Sequence, residues 1–332
     1  MLRAVLRPAE DAFGQLLTDL VAGRRRVFEV VERDDGCVFV GEPEYYLAPF
    51  RSWWSQERRA MRFVRGRVLD LGCGAGRVGL HLQSRGHEVV GIDVSPLAVE
   101  IARQRGLADA RLGTLDGTLR AGERFDTILL LGNNLGLLAG ERQGRHLLRK
   151  LARAATDRGR ILAGSYDPYD GASEFARGYH ARNRARGRMG GVERIRVRYR
   201  QYATPWYDVL FASREEVARL VEGTGWVASR FVDDGAGYVA VLDLDAKLGG
   251  GTLVGRRTDG DGGNAGQGGG ARRLDCSVLV RRVQPPTLAR RISATRAGCS
   301  SAAKCPVSSS AIDSAPGSRA RFASRSGTRD QS

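Results

Sequence analysis

From Arg67 the apolar positions fall into a repeating rhythm. Short runs rich in Val, Leu and Ile at 67–71, 88–92, 110–112, 125–131 and 159–164 alternate with amphipathic stretches at about 76–85, 95–105 and 141–155. Continuous apolar strands separated by helices predict a parallel sheet covered on both faces, the doubly wound α/β arrangement. Ahead of it, Phe13, Leu16, Leu17 and Leu20 stand at helical spacing within 9–22, and two short apolar runs flank the turn signal Asp34-Asp35-Gly36. A helix and a small hairpin are expected there. Residues 44–63 place aromatic side chains before an amphipathic helix, a candidate lid or cap.

Past 165 the rhythm breaks. Arg194, Arg196, Arg198 and Arg200 alternate with Ile195, Val197 and Tyr199, a period of two that predicts a strand with one charged face. Thr204-Pro205 then turns the chain into 206–212, giving an inserted hairpin. Ser213 and Glu216 form a capping-box pattern ahead of a helix that stops near Gly223. Strands at 226–232 and 237–244 around Asp233-Asp234-Gly235 close the sheet. The expected fold is therefore α/β: a Rossmann-like doubly wound seven-stranded sheet with an antiparallel C-terminal hairpin, an N-terminal helical and hairpin cap, and an inserted β-hairpin. The expected division is a cap at 1–62, a catalytic-size domain at 63–247 with an insertion at about 170–212, and a Gly/Arg/Ser-rich tail at 248–332. That tail holds 14 glycines and no glutamate. So little apolar surface does not offset the entropy of ordering, and the tail is expected to be disordered, with at most one strand at 274–283.

Composition changes this picture in one respect. The chain has 332 residues and a formal net charge of +16, but residues 248–332 hold 14 of the 53 basic side chains and only 5 of the 37 acidic ones. More than half of the excess charge thus belongs to the tail. Fifty of the 53 bases are arginine, a skew that codon bias produces, so basicity is discounted as a sign of nucleic acid. No run approaches the roughly 20 apolar residues of a membrane span, and the N-terminus lacks a signal-peptide stretch, so a cytoplasmic location is expected. The five cysteines include no CxxC pair, and the four histidines lack ligand spacing, which gives no support to a metal site or a disulfide framework.

The chemistry concentrates in VLDLGCGAGRVGLHL at 68–82. A strand ends at Asp70-Leu71, the chain turns through Gly72-Cys73-Gly74-Ala75-Gly76, and a helix opens. Glycines allow the backbone to approach a ligand, and the helix start offers unpaired N–H groups. Seventeen residues after Gly76 comes Asp93, at the end of the second strand, where a carboxylate can accept both hydroxyls of a ribose. A nucleoside-containing cofactor follows. The match of Gly74, Gly76 and Gly79 to GxGxxG leaves NAD open on the regular expression alone. In the dinucleotide fingerprint, however, the first glycine follows the strand directly, and here the match begins three residues after Leu71.

The string D-x-G-x-G-x-G with a downstream acid resembles motif I of the class I S-adenosylmethionine-dependent methyltransferases. The resemblance runs over residues 9–247 and is most specific at 66–164. The Arg182–Met189 run and the turn at 204–208 resemble a bacterial subfamily of this class. It implies that Asp70, Gly72, Cys73, Gly74 and Gly76 wrap the methionine part of S-adenosylmethionine, that Asp93 binds the ribose, and that Thr114 and Leu115 stand where adenine is held. Thr114 departs from the acid usual at that place. The fourth strand ends in Leu131-Gly132-Asn133-Asn134, without the NPPY or DPPY of adenine and glutamine N-methyltransferases. The resemblance puts Gly132 beside the cofactor and Asn133 at the methyl-transfer end, with Asn134 as a second candidate. His180, Tyr179, Tyr207 and Asp208 are candidate bases from the insertion, His180 foremost.

The expected function is methyl transfer to a small-molecule N or O acceptor, catalysed mainly by positioning. An RNA or DNA methyltransferase and a catalytically silent cofactor-binding module stay open as alternatives. The arginine ladder reads either as a wall for an anionic acceptor or as a solvated strand face. Acceptor, general base and oligomeric state are not fixed by sequence.

Overall fold

A computed structural model describes residues 4–41 and 43–245, and the tail expectation lies outside these described residues. In chain order the elements are α1 (Ala12–Val21), β1 (Glu29–Arg33), β2 (Val38–Gly41), α2 (Ser55–Ala60), β3 (Val68–Leu71), α3 (Arg77–Gln83), β4 (Val89–Asp93), α4 (Pro96–Gln104), β5 (Asp109–Leu112), α5 (Leu115–Thr118), β6 (Phe125–Leu130), α6 (Glu141–Ala154) and β7 (Ala155–Tyr166). There follow α7 (Glu174–Ala185), β8 (Val192–Tyr199), β9 (Tyr202–Ala203), β10 (Tyr207–Leu210), α8 (Arg214–Val221), β11 (Trp226–Asp234) and β12 (Gly237–Leu244).

Seven strands form one sheet in the order β11-β12-β7-β6-β3-β4-β5. The five from β7 to β5 run parallel, and β12 and β11 add the antiparallel hairpin expected from the sequence. Every residue of β3 is buried, as continuous apolar runs predict for strands covered on both faces. The strand order reverses at β3, where the chain steps to β4 on one side and β6 on the other. That reversal opens a crevice beyond the strand C-termini.

The second sheet was not foreseen as a unit. Its order is β10-β8-β1-β2, with β9 added to β8. The N-terminal hairpin and the inserted hairpin, expected as separate features, pair directly: Val30 with Arg198, Val31 with Val197, Glu32 with Arg196 and Arg33 with Ile195. This sheet lies over the C-terminal edge of the seven-stranded one and lines its crevice from above. Helix α1 joins the two layers, packing Ala12, Leu16 and Leu17 against Ala98 and Ile101 of α4 and against Val197 and Tyr199 of β8.

Asp11 ties that joint. It caps α1 by accepting from the Gly14 N–H at 2.9 Å, and it reaches the start of α4 by accepting from the Ser95 hydroxyl at 2.7 Å and the Leu97 N–H at 3.1 Å. One buried carboxylate therefore satisfies the starts of two helices. The capping box at Ser213 and Glu216 forms as its spacing predicts.

Segment 44–63, expected as a lid or cap, packs against the C-terminal strands and contributes Tyr46 to the cavity described below. Three short 3-10 turns and the six-residue α2 replace the expected amphipathic helix, and α2 packs against β11 and β12, with Ser55 donating to Asp234 at 2.6 Å. Trp53 is buried among Val68, Val78 and Leu82, and Trp54 stacks on Tyr45 with ring centroids 4.2 Å apart. Both tryptophans are packing groups.

Candidate functional site

A cavity of about 470 Å³ opens between the two sheets. From below it is lined by the C-terminal ends of β3 and β4 and the loops after β3, β4, β5 and β6. From above it is lined by the inward positions of β1, β2, β8 and β10. Its size is that of an ordinary small-molecule site.

The loop after β3 is shaped by left-handed residues: Gly72, Gly74 and Gly76 have φ of 77°, 54° and 78°. At Gly72 the requirement is also steric, since a Cβ would lie 2.5 Å from Asn134 Nδ2. That amide donates to the carbonyls of Leu71 and Gly72 at 3.1 and 3.0 Å. Asn134 is thus a clamp between the loops after β6 and β3. Its neighbour Asn133 has φ 65° and lines the cavity. Asparagine tolerates this left-handed geometry better than most side chains, and a polar residue held there at a strand end is a frequent mark of a functional loop.

Asp93 accepts the Gly74 N–H on Oδ2 and the Ser95 N–H on Oδ1, both at 2.9 Å. Each oxygen keeps a further lone pair, and Asp93 lines the cavity. Burial raises the pKa of this carboxyl, and the backbone N–H groups of Ser95, Gly74 and Val94 oppose the shift. Asp70, at the end of β3, is buried and lines the cavity, and its Oδ2 has no hydrogen-bond partner. Burial pushes its pKa up to about 7, with Arg77 pulling it down and Asp93 and Glu57 pushing it further up. An orphaned carboxylate oxygen in a buried wall calls for a donor from a ligand.

Sequence reasoning missed the group that braces this wall. Glu57 of α2 is 1% exposed and accepts three donors: the Gly132 N–H at 2.8 Å, Arg77 at 3.0 Å and the Tyr45 hydroxyl at 2.6 Å. Burial beside Glu57 raises the Tyr45 phenol well above its ordinary range. Arg77 lies over the rings of Tyr45 and Trp53 and lines the cavity. Arg77 has a sequence signal, standing at the start of α3 in the glycine motif; Glu57 has none.

Of the expected cofactor residues, Asp70, Gly72, Cys73, Gly74, Asp93, Thr114, Leu115 and Gly132 line this one cavity, as does Asn133. Gly76 is not among its lining residues. It turns inward, where a Cβ would approach Ala102 and Leu107. Burial raises the Cys73 thiol well above its usual range, so it serves as packing rather than as a nucleophile.

His180 also falls outside the lining. It is buried on α7 with its ring edge-on to Tyr169, and burial lowers its pKa. Tyr179 donates to Asp34 at 2.8 Å, and Asp208 pairs with Arg188 at 3.1 Å; neither lines the cavity. Of the four candidate bases, Tyr207 alone lines it.

The arginine ladder faces away. Glu193, Ile195 and Val197 point into the cavity, so Arg194, Arg196 and Arg198 point outward, where Arg196 and Arg198 pair with Glu32 at 2.8 and 3.3 Å. The wall for an anionic acceptor is therefore absent from the cavity, because strand alternation places the charged face outside. Among the described residues no group of His, Cys, Asp or Glu is placed to hold a metal ion, and no helix is long and apolar enough to cross a membrane.

A doubly wound sheet with a glycine turn and two acids, Asp70 and Asp93, at its switch point has the frame of a nucleoside-cofactor domain. Residues 68–159 match the family described as a methyltransferase domain. The crystal structure of a SAM-dependent methyltransferase from Bacteroides fragilis in complex with S-adenosyl-L-homocysteine superposes with a TM-score of 0.62 at 26% identity, over 73% of this chain and 98% of that one. A ubiquinone biosynthesis O-methyltransferase from Azorhizobium caulinodans is 34% identical over 84 residues, which are 24% of this chain and 33% of the relative. A 2-heptyl-1-hydroxyquinolin-4(1H)-one methyltransferase from Mycobacteroides abscessus is 39% identical over 72 residues, 20% of this chain and 32% of that protein. The chain thus spans about a third of the length of these curated relatives. The methyltransferase domain at 68–159 and the likeness to that solved structure support a class I S-adenosylmethionine-dependent methyltransferase.

Proposed function

We propose that the chain binds S-adenosylmethionine in this cavity and transfers its methyl group to a small-molecule N or O acceptor seated under the second sheet. The observation that carries the reading is the pair of carboxylates on the cavity floor. Asp93 keeps two lone pairs for the vicinal hydroxyls of a ribose, and the unpaired Oδ2 of Asp70 suits an α-ammonium. Arg77, on the same wall, offers a guanidinium to the carboxylate of the methionine portion.

When bound, the cofactor supplies an activated methyl on a positively charged sulfur. The chain's own residues then have to orient and to exclude water. Gly132 and Asn133 shape the floor where β6 ends, and the roof strands cover it with Val31, Ile195, Val197 and Val209. Holding donor and acceptor in line makes the reaction effectively unimolecular, worth effective molarities of about 10⁵ M or more. Against a nucleic-acid acceptor, four of the arginines in the 177–200 segment, Arg194, Arg196, Arg198 and Arg200, pair with carboxylates on the outer face.

Calorimetry with S-adenosylhomocysteine, followed by detection of that product after incubating the full chain with S-adenosylmethionine and fractionated metabolite pools, tests the reading. Saturable binding and acceptor-dependent product are expected. A chain that binds no S-adenosylhomocysteine would refute it.

A further inference from the structure

The inward face of the roof carries two carboxylates, Glu193 on β8 and Glu29 on β1, and they are not equivalent. Glu193 accepts from Arg33 at 2.7 Å, and Arg33 is buried, held also by Asp35 at 2.9 Å. Its charge is matched within the protein. Glu29 receives the Tyr46 hydroxyl, 2.9 and 3.1 Å from its two oxygens, and among the described residues no basic side chain pairs with it. Its partner across the β1–β2 hairpin is Gly41, which contributes no side chain. Around it the cavity is aromatic, with Phe13 edge-on to Tyr46 at 4.9 Å and with Phe39 and Tyr207 in the lining.

Among the described residues Arg77 is the sole basic side chain in the lining, and Glu57 neutralises it at 3.0 Å. The cavity as a whole is therefore acidic above and below. A carboxylate withdrawn from water beside aromatic faces, with no cation of its own, favours a cationic guest: it gains an opposite charge, and the rings add cation–π attraction.

We propose that the acceptor is an amine, seated with its ammonium form against Glu29 and Tyr46 inside this aromatic chamber. The proposal rests on the methyl-transfer reading above. Glu29 then also serves as the proton acceptor that readies the nucleophile. The ammonium gives one proton to the Glu29 carboxylate, leaving a neutral amine and a carboxylic acid. The amine lone pair forms the new N–C bond as the C–S bond of S-adenosylmethionine breaks, and the electron pair of that bond stays on sulfur. The products are a methylated ammonium and neutral S-adenosylhomocysteine, so charge and atoms balance.

The test uses the full chain saturated with S-adenosylhomocysteine and two matched probe pairs, benzylamine with benzyl alcohol and propylamine with 1-propanol, titrated by ligand-observed NMR. At least one amine should bind tenfold or more tightly than its alcohol. Glu29→Gln should erase that preference, about a tenfold to hundredfold loss for the amine, the range for one charge-assisted hydrogen bond, while S-adenosylhomocysteine binds as before. Tyr46→Phe, which leaves the charge in place, should keep the preference. Equal binding of amine and alcohol by the wild-type chain, or a preference that survives Glu29→Gln, overturns the proposal while leaving methyl transfer intact. The wild-type comparison decides even where the variant fails to fold. Failure of the wild-type chain to bind S-adenosylhomocysteine overturns the underlying reading and this proposal with it.

Discussion

Replacing Asp93 with alanine removes the two carboxylate oxygens at the end of β4. In the intact chain each oxygen already accepts one backbone N–H, from Gly74 and from Ser95, both at 2.9 Å. Those bonds fix the plane of the carboxylate and leave one lone pair per oxygen for a ribose hydroxyl. A hydrogen bond to a charged group contributes about 1.5–3 kcal/mol. Two of them at the low end give about 3 kcal/mol, which is roughly 150-fold in Kd. The Gly74 N–H also loses its tether, so the glycine turn loosens in the unbound state and the loss should not be smaller than this. Isothermal titration of S-adenosylhomocysteine into the full chain measures the ratio, and circular dichroism on the same samples checks that the variant is folded. A folded Asp93→Ala protein whose Kd stays within about threefold of the wild type would refute the assignment of Asp93 to the ribose.

Two further outcomes follow from the buried charges. Asp70 has a carboxyl raised to about 7 in the fold, against about 3.9 in an unfolded chain. Between those values the native state binds a proton that the unfolded state has lost, so this group makes stability fall as pH rises from about 4 to about 7, by at most about 4 kcal/mol. Asp70→Asn should therefore melt several degrees higher than the wild type at pH 8 and close to it at pH 4.5, while binding S-adenosylhomocysteine more weakly; parallel melting profiles would contradict the burial argument. Glu57→Ala leaves Arg77 buried without its partner and the Gly132 N–H and Tyr45 hydroxyl without their acceptor. A loss of about 3 kcal/mol or more is expected, lowering Tm by roughly 10 °C, and a change under about 2 °C by differential scanning calorimetry would show that Glu57 does not brace the cavity wall.

The seven-stranded sheet was legible because its strands are buried on both faces and must read as unbroken apolar runs. Each predicted core strand overlaps the observed one. The expectation went short at β7, which begins at Ala155 directly after α6 and runs to Tyr166, because Asp157, Arg158 and Gly159 hide its first turn of chain as a loop. Helix α7 escaped notice because it buries only Tyr179, His180 and Asn183, too narrow a stripe to show as periodicity among its arginines. Period two correctly gave β8 one charged face but could not say which strand it meets or which face looks inward. Within the cavity, the glycine turn and Asp93 were visible because backbone geometry dictates the residues. Asn133 and Asn134, the same residue type in adjacent places, were ranked only through the resemblance; a left-handed φ at one and two carbonyl partners at the other distinguish them physically. Glu29 and Glu57 were invisible for a different reason. A glutamate in a hairpin or a short helix carries no mark of what will fold onto it.

The pairing of β1 with β8 has a consequence for the order in which the molecule is made. The two strands are about 160 residues apart, and nearly the whole parallel sheet is translated between them. On a ribosome the floor of the cavity can assemble while its roof is still half missing, with Val31 and its neighbours waiting for Ile195 and Val197 to emerge. Contacts of such long range are late and slow to form. A ligand that touches both sheets, and so recognises only the finished chamber, would draw the equilibrium toward that last closure, so the time spent incomplete would depend on how much of it the surroundings supply.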